Sequence, residues 1–261
     1  MANTVYENFV LANEIEDQFN SHLDLARFCT IDSSLAGVAG MKKIINVYSA
    51  TNGTEKLGKG EGNTKSIQAG FTPVEYEILL AQNRFEYFDE EYMTDPVAIE
   101  TGIRHMGTDM FNTEMADIYA EFKKATLEVP TATPDFAAFA DMATKLNLEN
   151  LEGVELFAFV APADMGKVRK ALKDDLKYVE AFARNGYVGT VAGWNLYSKA
   201  DAEVGTIVGG TREAVTLFNK KGTEVEQARD SNIRKNSLYS RKYYLAALTD
   251  ATKAVKLTIN A

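Results

Sequence analysis

Apolar side chains recur every three or four residues over a long stretch in the first half of the chain. The stretch begins at Asp95, a good N-cap residue, followed by Pro96, which fits the first turn of a helix. At about 1.5 Å per residue, the pattern predicts an amphipathic helix about 40 Å long that ends near residue 124. Gly102 and Gly107 lie inside it and favour either close packing or a bend. The apolar positions are Ile99, Ile103, Met106, Met110, Phe111, Met115, Ile118 and Phe122.

A polar, glycine-rich stretch, Ser49 to Gly70, lies between two β-rich runs, Ile44 to Tyr48 and Tyr76 to Leu80. Two such runs around a polar tip predict an extended hairpin. Because the tip has almost no apolar side chains to bury, we expect it to be exposed and mobile, and to become ordered only against a neighbouring copy. Its length exceeds that of most loops in compact domains, which favours a functional or partner-bound role.

A mixed pattern of helices and strands follows Pro130 and Pro134. The run Glu155 to Ala161 is apolar at nearly every position, which predicts a buried strand closed by Pro162. Together these segments predict an α+β unit. The predicted helices cover Phe136 to Leu146 and Met165 to Phe182, and the other predicted strands cover Val188 to Ser198, Glu203 to Gly209, Tyr243 to Leu248 and Ala254 to Ile259.

Composition narrows the class of protein. The chain has 261 residues, of which 46% are apolar and 25% charged, so a disordered or fibrous protein is excluded. The net charge of −9 disfavours tight binding along a phosphate backbone. A single cysteine, Cys29, permits no intrachain disulfide and indicates a reducing compartment. No apolar run approaches the ~20 residues of a membrane helix and the first ten residues do not resemble a secretory signal, so we expect a soluble protein.

Acidic residues are concentrated between residues 71 and 121, where twelve acids face two bases. The favoured interpretation is a solvated acidic face. The alternative is a surface for a basic partner segment, and the lysines of the glycine-rich tip on a neighbouring copy fit that description. The candidate intersubunit contact residues are Lys56, Leu57, Lys59, Lys65, Ile67, Glu86, Asp89, Glu90 and Glu91.

No set of residues points to catalysis. His22 and His105 have no nearby metal-ligand partner, and Cys29 is interpreted as a core residue. Gly209-Gly210-Thr211 follows a strand and is interpreted as a simple turn, with anion binding through backbone N–H groups as the alternative. Trp194 is interpreted as a core or interface anchor. The sequence therefore predicts no catalytic, cofactor-binding or metal-binding residues, no cofactor, and a protein that is not an enzyme.

The order of these features resembles the major capsid proteins of tailed bacteriophages with the Hong Kong 97-type fold. The resemblance is strongest in the second half of the chain, where segments are similar to the axial strand and helix of that family, its glycine-punctuated strands and its return to the peripheral domain. These segments read LFAFVAPAD (156–164), GYVGTVAGWNLYS (186–198), TREAV (211–215) and YYLAAL (243–248).

The resemblance implies an α+β fold with an axial domain, a peripheral domain with a long spine helix, an extended β-hairpin loop and an N-terminal arm. The division of the chain that it implies is 1–40 for the arm, 41–93 for the extended loop and peripheral strands, 94–127 for the spine helix, 128–225 for the axial domain, and 226–261 for strands that return to the peripheral domain.

The function implied is a major capsid protein that assembles into hexamers and pentamers of an icosahedral head. Such a protein is made in the bacterial host cytoplasm, resides in the virion and encloses double-stranded DNA without sequence-specific binding or membrane contact. Its partners are copies of itself and, in addition, a separate scaffolding protein, a portal and a decoration protein.

The residues leave two alternative functions open. The alternatives are an encapsulin-type shell that encloses a cargo, and a soluble α+β enzyme with a carboxylate-based site near residues 86–95. One branch of the capsid family crosslinks a loop lysine to a neighbour's asparagine. The obvious candidates here are the three tip lysines with Asn232 or Asn236, but the sequence fixes no pairing.

Overall fold

The computed structural model describes residues 23–51, 53–148, 153–176 and 189–260. Most of the predicted N-terminal arm, including His22, and the end of the predicted helix beyond Leu176 lie outside these ranges. The helices are α1 (Asp89–Thr94), α2 (Pro96–Lys123), α3 (Phe136–Leu146), α4 (Pro162–Ala171) and α5 (Lys173–Leu176), with 3-10 turns at Ala26–Phe28 and Ala251–Lys253. The strands are β1 (Thr30–Asp32), β2 (Lys42–Ala50), β3 (Ala69–Glu77), β4 (Leu79–Phe88), β5 (Leu127–Thr131), β6 (Leu156–Val160), β7 (Thr190–Val191), β8 (Trp194–Ser198), β9 (Thr206–Gly210), β10 (Val215–Asp230), β11 (Lys235–Leu248) and β12 (Ala254–Ile259).

These strands form two larger sheets and a separate two-stranded hairpin. We call this hairpin the arm, as distinct from the predicted N-terminal arm. The six-stranded sheet has the order β5-β12-β9-β6-β8-β7, and the four-stranded sheet has the order β1-β10-β11-β4. The arm is the antiparallel pair β2-β3. Parallel and antiparallel pairs are mixed in both larger sheets, with β6 parallel to β8 and antiparallel to β9. The predicted α+β class is confirmed.

Strand β6 lies between the two main hydrophobic cores, and all five of its side chains are buried. Side chains alternate between the faces of a strand, so each core receives every second residue of β6. Phe157 and Phe159 enter the first core, where each ring centroid lies 5.6 Å from that of Phe122 on α2. The other three residues enter the second core, among side chains of α3, α4 and β12. Those residues are Leu156, Ala158 and Val160.

The second core is closed by Trp194, as predicted for an anchor residue. Its side chain is fully buried, and the indole N–H donates to the backbone oxygen of Phe139 at 2.9 Å. Strand β9, which lies on the opposite side of β6 from Trp194, has no side chain at Gly209. A Cβ atom there would lie 2.6 Å from the oxygen of Phe157 and 2.7 Å from the indole ring. Gly209 and Gly210 were interpreted as a simple turn, with an anion site as the alternative, and both interpretations are therefore wrong. Both lie inside strand β9, where glycine permits a close backbone approach.

Helix α2 has the predicted start and length. The Asp95 carboxylate accepts hydrogen bonds from the N–H groups of Val97 at 3.1 Å and Ala98 at 3.2 Å. At Gly102, a Cβ atom would lie 2.4 Å from the ring of Phe85 on β4, whereas a Cβ at Gly107 would meet no atom within 4 Å. Gly102 therefore permits close packing of α2 against β4.

Acidic side chains of α2 also attach the helix to the four-stranded sheet. Both carboxylate oxygens of Glu114 accept hydrogen bonds of 2.6 Å from the Lys242 ammonium group. The Asp117 carboxylate accepts a hydrogen bond of 2.8 Å from the Tyr244 hydroxyl. One turn further along, Glu121 accepts the backbone N–H of Leu248 at 3.2 Å. Burial, with the Asp117 carboxylate as a second cause, raises the pKa of Tyr244, so this hydroxyl remains a donor. This part of the acidic helix surface is therefore a bonded interface, not a solvated face.

The arm is anchored at its base by a small third cluster. Ile78, Phe218 and Ala247 are buried there, and the rings of Tyr76 and Phe218 lie 5.7 Å apart. The N–H of Ile78 donates to the oxygen of Met41 at 2.7 Å. The arm is thereby fixed to the four-stranded sheet where β3 leads into β4.

The end of the chain contributes to both larger sheets. Residue 225, the predicted limit of the axial domain, lies inside the continuous strand β10 of the four-stranded sheet. Strand β12 does not join that sheet, because it pairs with β5 and β9 in the six-stranded one. Burial gives the reason: Val255 and Leu257 are fully buried in the second core, which the four-stranded sheet does not border.

We expect Gly209→Ala to destabilise the chain by about 1–3 kcal/mol, because the added methyl group meets the backbone of β6 and cannot be relieved by a side-chain rotation. Gly222→Ala is the matched control, since Gly222 also lies in a strand but has open space around its Cβ position. Urea unfolding of both variants measures the difference. Equal stability of the two variants would contradict the close packing at β9.

Candidate intersubunit surface

The arm carries the five tip candidates on exposed positions. Strands β2 and β3 pair in continuous register from Lys42 opposite Glu77 to Ala50 opposite Ala69, so the predicted extended hairpin is confirmed. Leu57 and Ile67 expose 48% and 63% of their surface, and Phe71 exposes 67%. The lysines of the tip, residues 56, 59 and 65, are exposed as well. Apolar and cationic side chains are therefore presented together at the end of the arm.

The acidic candidates have basic partners within the same chain. Asp89 forms an ion pair with Arg229 at 2.6 Å, and Glu90 forms one with Arg234 at 2.6 Å. Glu86 lies 2.7 Å from Lys235, and the hydrogen bonds of Lys235 and Ser237 hold the pKa of Glu86 below its usual range. Arg229 lies at the end of β10, Arg234 in the turn that follows it, and Lys235 at the start of β11. The basic partners of these three carboxylates therefore lie in the same chain, and a contact with the tip lysines of a neighbouring copy stays a prediction.

Glu91 has a different role, because its carboxylate accepts the backbone N–H of Phe88 at 3.0 Å and caps the start of α1. Among the residues that the structure describes, none of the tip lysines forms an ion pair with Glu86, Asp89, Glu90 or Glu91.

An exposed apolar patch beside these ion pairs was missed in the sequence. The turn between β10 and β11 is held against α1 by a hydrogen bond from the N–H of Asp89 to the oxygen of Arg234 at 3.1 Å. We call the apolar side chains around this contact the tip patch; they are Phe88, Tyr92, Met93, Val97 and Ile233. Met93 is 83% exposed. Exposed apolar side chains with charged groups near them are typical of protein–protein interfaces. The sequence signal was the pair Tyr92-Met93 within a run of acids.

Among the described residues, we find no group of side chains arranged as a catalytic or metal-binding centre. Glu86, Asp89 and Glu90 each face a different cation. In the described ranges, no three His, Cys, Asp or Glu side chains are grouped so as to hold a metal ion. His105 is an exposed residue of α2. No described helix is long and apolar enough to cross a membrane.

Of the two asparagines considered for a crosslink, Asn236 is a poor candidate. It is buried, donates to Asp89 at 2.7 Å and accepts from Gln227 at 3.1 Å. Asn232 is exposed in the turn between β10 and β11. The structure brings neither asparagine to a tip lysine within the described chain.

Cys29 lies in the first core, as predicted. Its side chain is fully buried, and its Sγ donates to the backbone oxygen of Leu25 at 3.5 Å. Burial raises the pKa of the Cys29 thiol to about 12. A nucleophilic thiolate is therefore absent at neutral pH.

We expect the thiol of the folded chain to resist alkylation by iodoacetamide at pH 8, and to react fully once the chain is unfolded in urea. Burial hinders access and keeps the thiol protonated, so both effects act in the same direction. Mass spectrometry of the treated chain measures the modified fraction. Complete modification of the folded chain within minutes would contradict the placement of Cys29 in the core.

The acidic residues are also expected to differ in what they contribute to stability. Glu114→Gln leaves the Lys242 cation in a site where the two side chains are only 8% and 16% exposed, so we expect a loss of up to about 3–5 kcal/mol. Glu90→Gln is the matched control, and we expect it to cost about 0–1 kcal/mol because that pair is solvated. Chemical unfolding of both variants measures the contrast. A larger loss for Glu90→Gln would contradict the account of α2 and its sheet.

No model of a protein family matches the chain. The chain is 27% identical over 262 residues to the major capsid protein of Staphylococcus phage phiMR11, an alignment that covers 95% of this chain and 92% of that protein.

Solved structures show the same similarity at the level of the fold. A structure of Mycobacterium phage Che8 matches with a TM-score of 0.69 and 16% identity, covering 98% of this chain and 95% of that one. The capsid of a native GTA particle, computed with C5 symmetry, matches with a TM-score of 0.71 and 14% identity, covering 100% and 96%. The chain has the Hong Kong 97-type capsid fold, and its resemblance to tailed-phage major capsid proteins is confirmed.

Proposed function

We propose that the chain is the major capsid protein of a tailed bacteriophage, and that its role is structural, not enzymatic. The observation that carries this proposal is the similarity to the phiMR11 major capsid protein, which extends over 95% of this chain and 92% of that protein. A likeness of that extent leaves little of either chain for a different activity. The capsid fold over the whole length supports the same conclusion.

The sheets supply the domains of such a subunit. The axial domain is the six-stranded sheet with α3 and α4, and the peripheral domain is the four-stranded sheet with α2 as its spine helix. The extended loop is the arm β2-β3 with its tip. This assignment places β12 in the axial domain and all of β10 in the peripheral domain.

The shell forms from hexamers and pentamers of this subunit. A head-to-tail contact, in which one surface of a copy meets a different surface of the next, closes into rings of this kind. The arm seats its tip on the tip patch of the next copy. Since the nearby carboxylates already have partners, burial of Leu57 and Ile67 against Tyr92 and Met93 supplies most of the contact. The tip lysines mainly set its register, because exposed ion pairs contribute only about 0–1 kcal/mol each.

The shell encloses double-stranded DNA without reading its sequence. A chain of net charge −9 repels the phosphate backbone, which allows packed DNA to move in and out. The subunit is made in the bacterial host cytoplasm and resides in the virion. Its further partners are a separate scaffolding protein, a portal and a decoration protein.

We expect the purified chain, alone or with a scaffolding protein, to form hexamers, pentamers or closed shells, because an exposed arm and an exposed apolar patch on one subunit favour contacts between copies. Sedimentation velocity and negative-stain electron microscopy measure the particles. A chain that stays monomeric at high concentration and turns over a small substrate would overturn the proposal. Particles from the native host that hold a cargo enzyme in place of DNA would favour the encapsulin-type alternative.

We expect Ile67→Glu and Met93→Glu each to reduce the yield of shells at least about tenfold, because each places a charge in an apolar contact between copies. Val204→Glu is the matched control: Val204 is 60% exposed and lies near the C-terminal end of α2, whereas Met93 precedes its start. Circular dichroism of each variant checks that the subunit is folded. Normal shells from Met93→Glu would contradict the role of the tip patch.

A further inference from the structure

The apolar side chains of the tip, Leu57 and Ile67, are exposed in the subunit, yet polar side chains of the tip bind its backbone from one side to the other. The Glu55 carboxylate accepts the backbone N–H of Thr64 at 2.7 Å, the hydroxyl of Thr64 at 2.7 Å and the N–H of Lys65 at 3.4 Å. These contacts span nine or ten residues of sequence. They join the outgoing and returning segments of the tip, and we call them the Glu55 bridge.

Further bonds lie on both sides of the Glu55 bridge. Toward the strands, Thr51 and Gln68 exchange two hydrogen bonds of 3.0 Å each. Next to the bridge, the Asn63 amide donates to the oxygen of Lys65 at 2.7 Å. At the far end, the Glu61 carboxylate accepts the N–H of Gly58 at 2.8 Å and closes the turn. The described residues of the tip thus have a defined shape without strand pairing or an apolar core.

A close backbone contact near the Glu55 bridge also supports a defined shape of the tip. A Cβ atom at Gly53 would lie 2.7 Å from the backbone nitrogen of Ile67. Only glycine lets the two segments approach this closely, and the approach brings Glu55 opposite Thr64. The polar composition from which we expected a mobile tip therefore provides the donors and acceptors that order it.

We propose that Glu55 is a positioning residue that shapes the tip in the free subunit, so that the tip meets the next copy already folded, and that protonation of Glu55 releases it. The second half of the proposal rests on the proposed function. Hydrogen bonds to an ionised carboxylate are roughly twice as strong as those between neutral groups. A segment that is folded before it binds avoids the ordering cost at the moment of binding.

The release by acid follows from the bonding of the carboxylate. Hydrogen bonds from the Thr64 backbone and then the Thr64 hydroxyl hold the pKa of Glu55 below its usual range. The stabilisation is therefore present above the ordinary pKa of a glutamate and is lost as the pH falls through the lowered value. The charged side chains around Glu55 in the tip are Lys56, Lys59, Glu61 and Lys65. None of these side chains contributes to the lowered pKa of Glu55, in which Lys65 takes part only through its backbone N–H.

Hydrogen exchange of the isolated subunit, followed by mass spectrometry or NMR at pH 7, tests the bridge directly. In Glu55→Ala we expect the amides of Thr64 and Lys65 to exchange at least about tenfold faster than in the native chain, as for loss of a hydrogen bond to a charged acceptor. Glu61→Ala is the matched control, because it removes the same charge from the same tip and should leave Thr64 protected. A Thr64 amide that exchanges in the native chain as fast as in an unstructured peptide would overturn the proposal.

Assembly of the same variants tests the docking half. We expect Glu55→Ala to form shells more slowly than Glu61→Ala. As the pH falls below the usual range of a glutamate, other carboxylates are protonated as well, so we expect native assembly to slow more steeply than assembly of Glu55→Ala, and the two rates to converge. Equal assembly rates for the two variants would overturn the docking role, even with Thr64 protected. If no chain assembles, the native one included, the proposed function fails, while hydrogen exchange still decides whether the bridge exists.

Discussion

The burial of strand β6 on both faces is the constraint on which the rest of the structure depends. Five consecutive buried side chains alternate between two cores, so the long helix and the six-stranded sheet cannot separate without exposing β6. Strand β9, which is adjacent to β6, has to approach it closely enough to complete both cores. This close approach explains why residue 209 is a glycine. Trp194 then closes the second core from the other neighbouring strand. A single strand thereby fixes one body from elements far apart in sequence.

The sequence predicted those elements whose signal is local. Asp95 and Pro96 marked the start of α2 because capping depends on neighbouring residues, and the continuous apolar run of β6 needed no partner to be recognised. It could not reveal that Gly209 lies against β6, since glycine is equally typical of a turn and of a close strand contact. The return of β12 to the six-stranded sheet depends on pairing over more than a hundred residues, which no local pattern encodes.

For the candidate intersubunit surface as well, the sequence predicted the features that have a local signal and missed those that depend on distant residues. The tip residues were correctly placed on an exposed hairpin, because a polar, glycine-rich stretch between β-rich runs is a local signal. Acid clustering was also local, but the cations that neutralise Asp89 and Glu90 come from the end of β10 and the turn after it, about 140 residues later. The expectation of a mobile tip counted only apolar burial and left out side-chain bonds to the backbone, of which those of Glu55 are the clearest.

A cryo-electron microscopy reconstruction of the assembled particle tests the central claim most directly, namely that this body and its arm are the subunit of a closed shell. The account predicts pentamers and hexamers in which the two sheets and α2 keep the arrangement described above. It also predicts that each arm crosses onto the adjacent copy, with Ile67 near Met93. Arms that fold back on their own subunit, or a particle built without contacts at the tip patch, would contradict it.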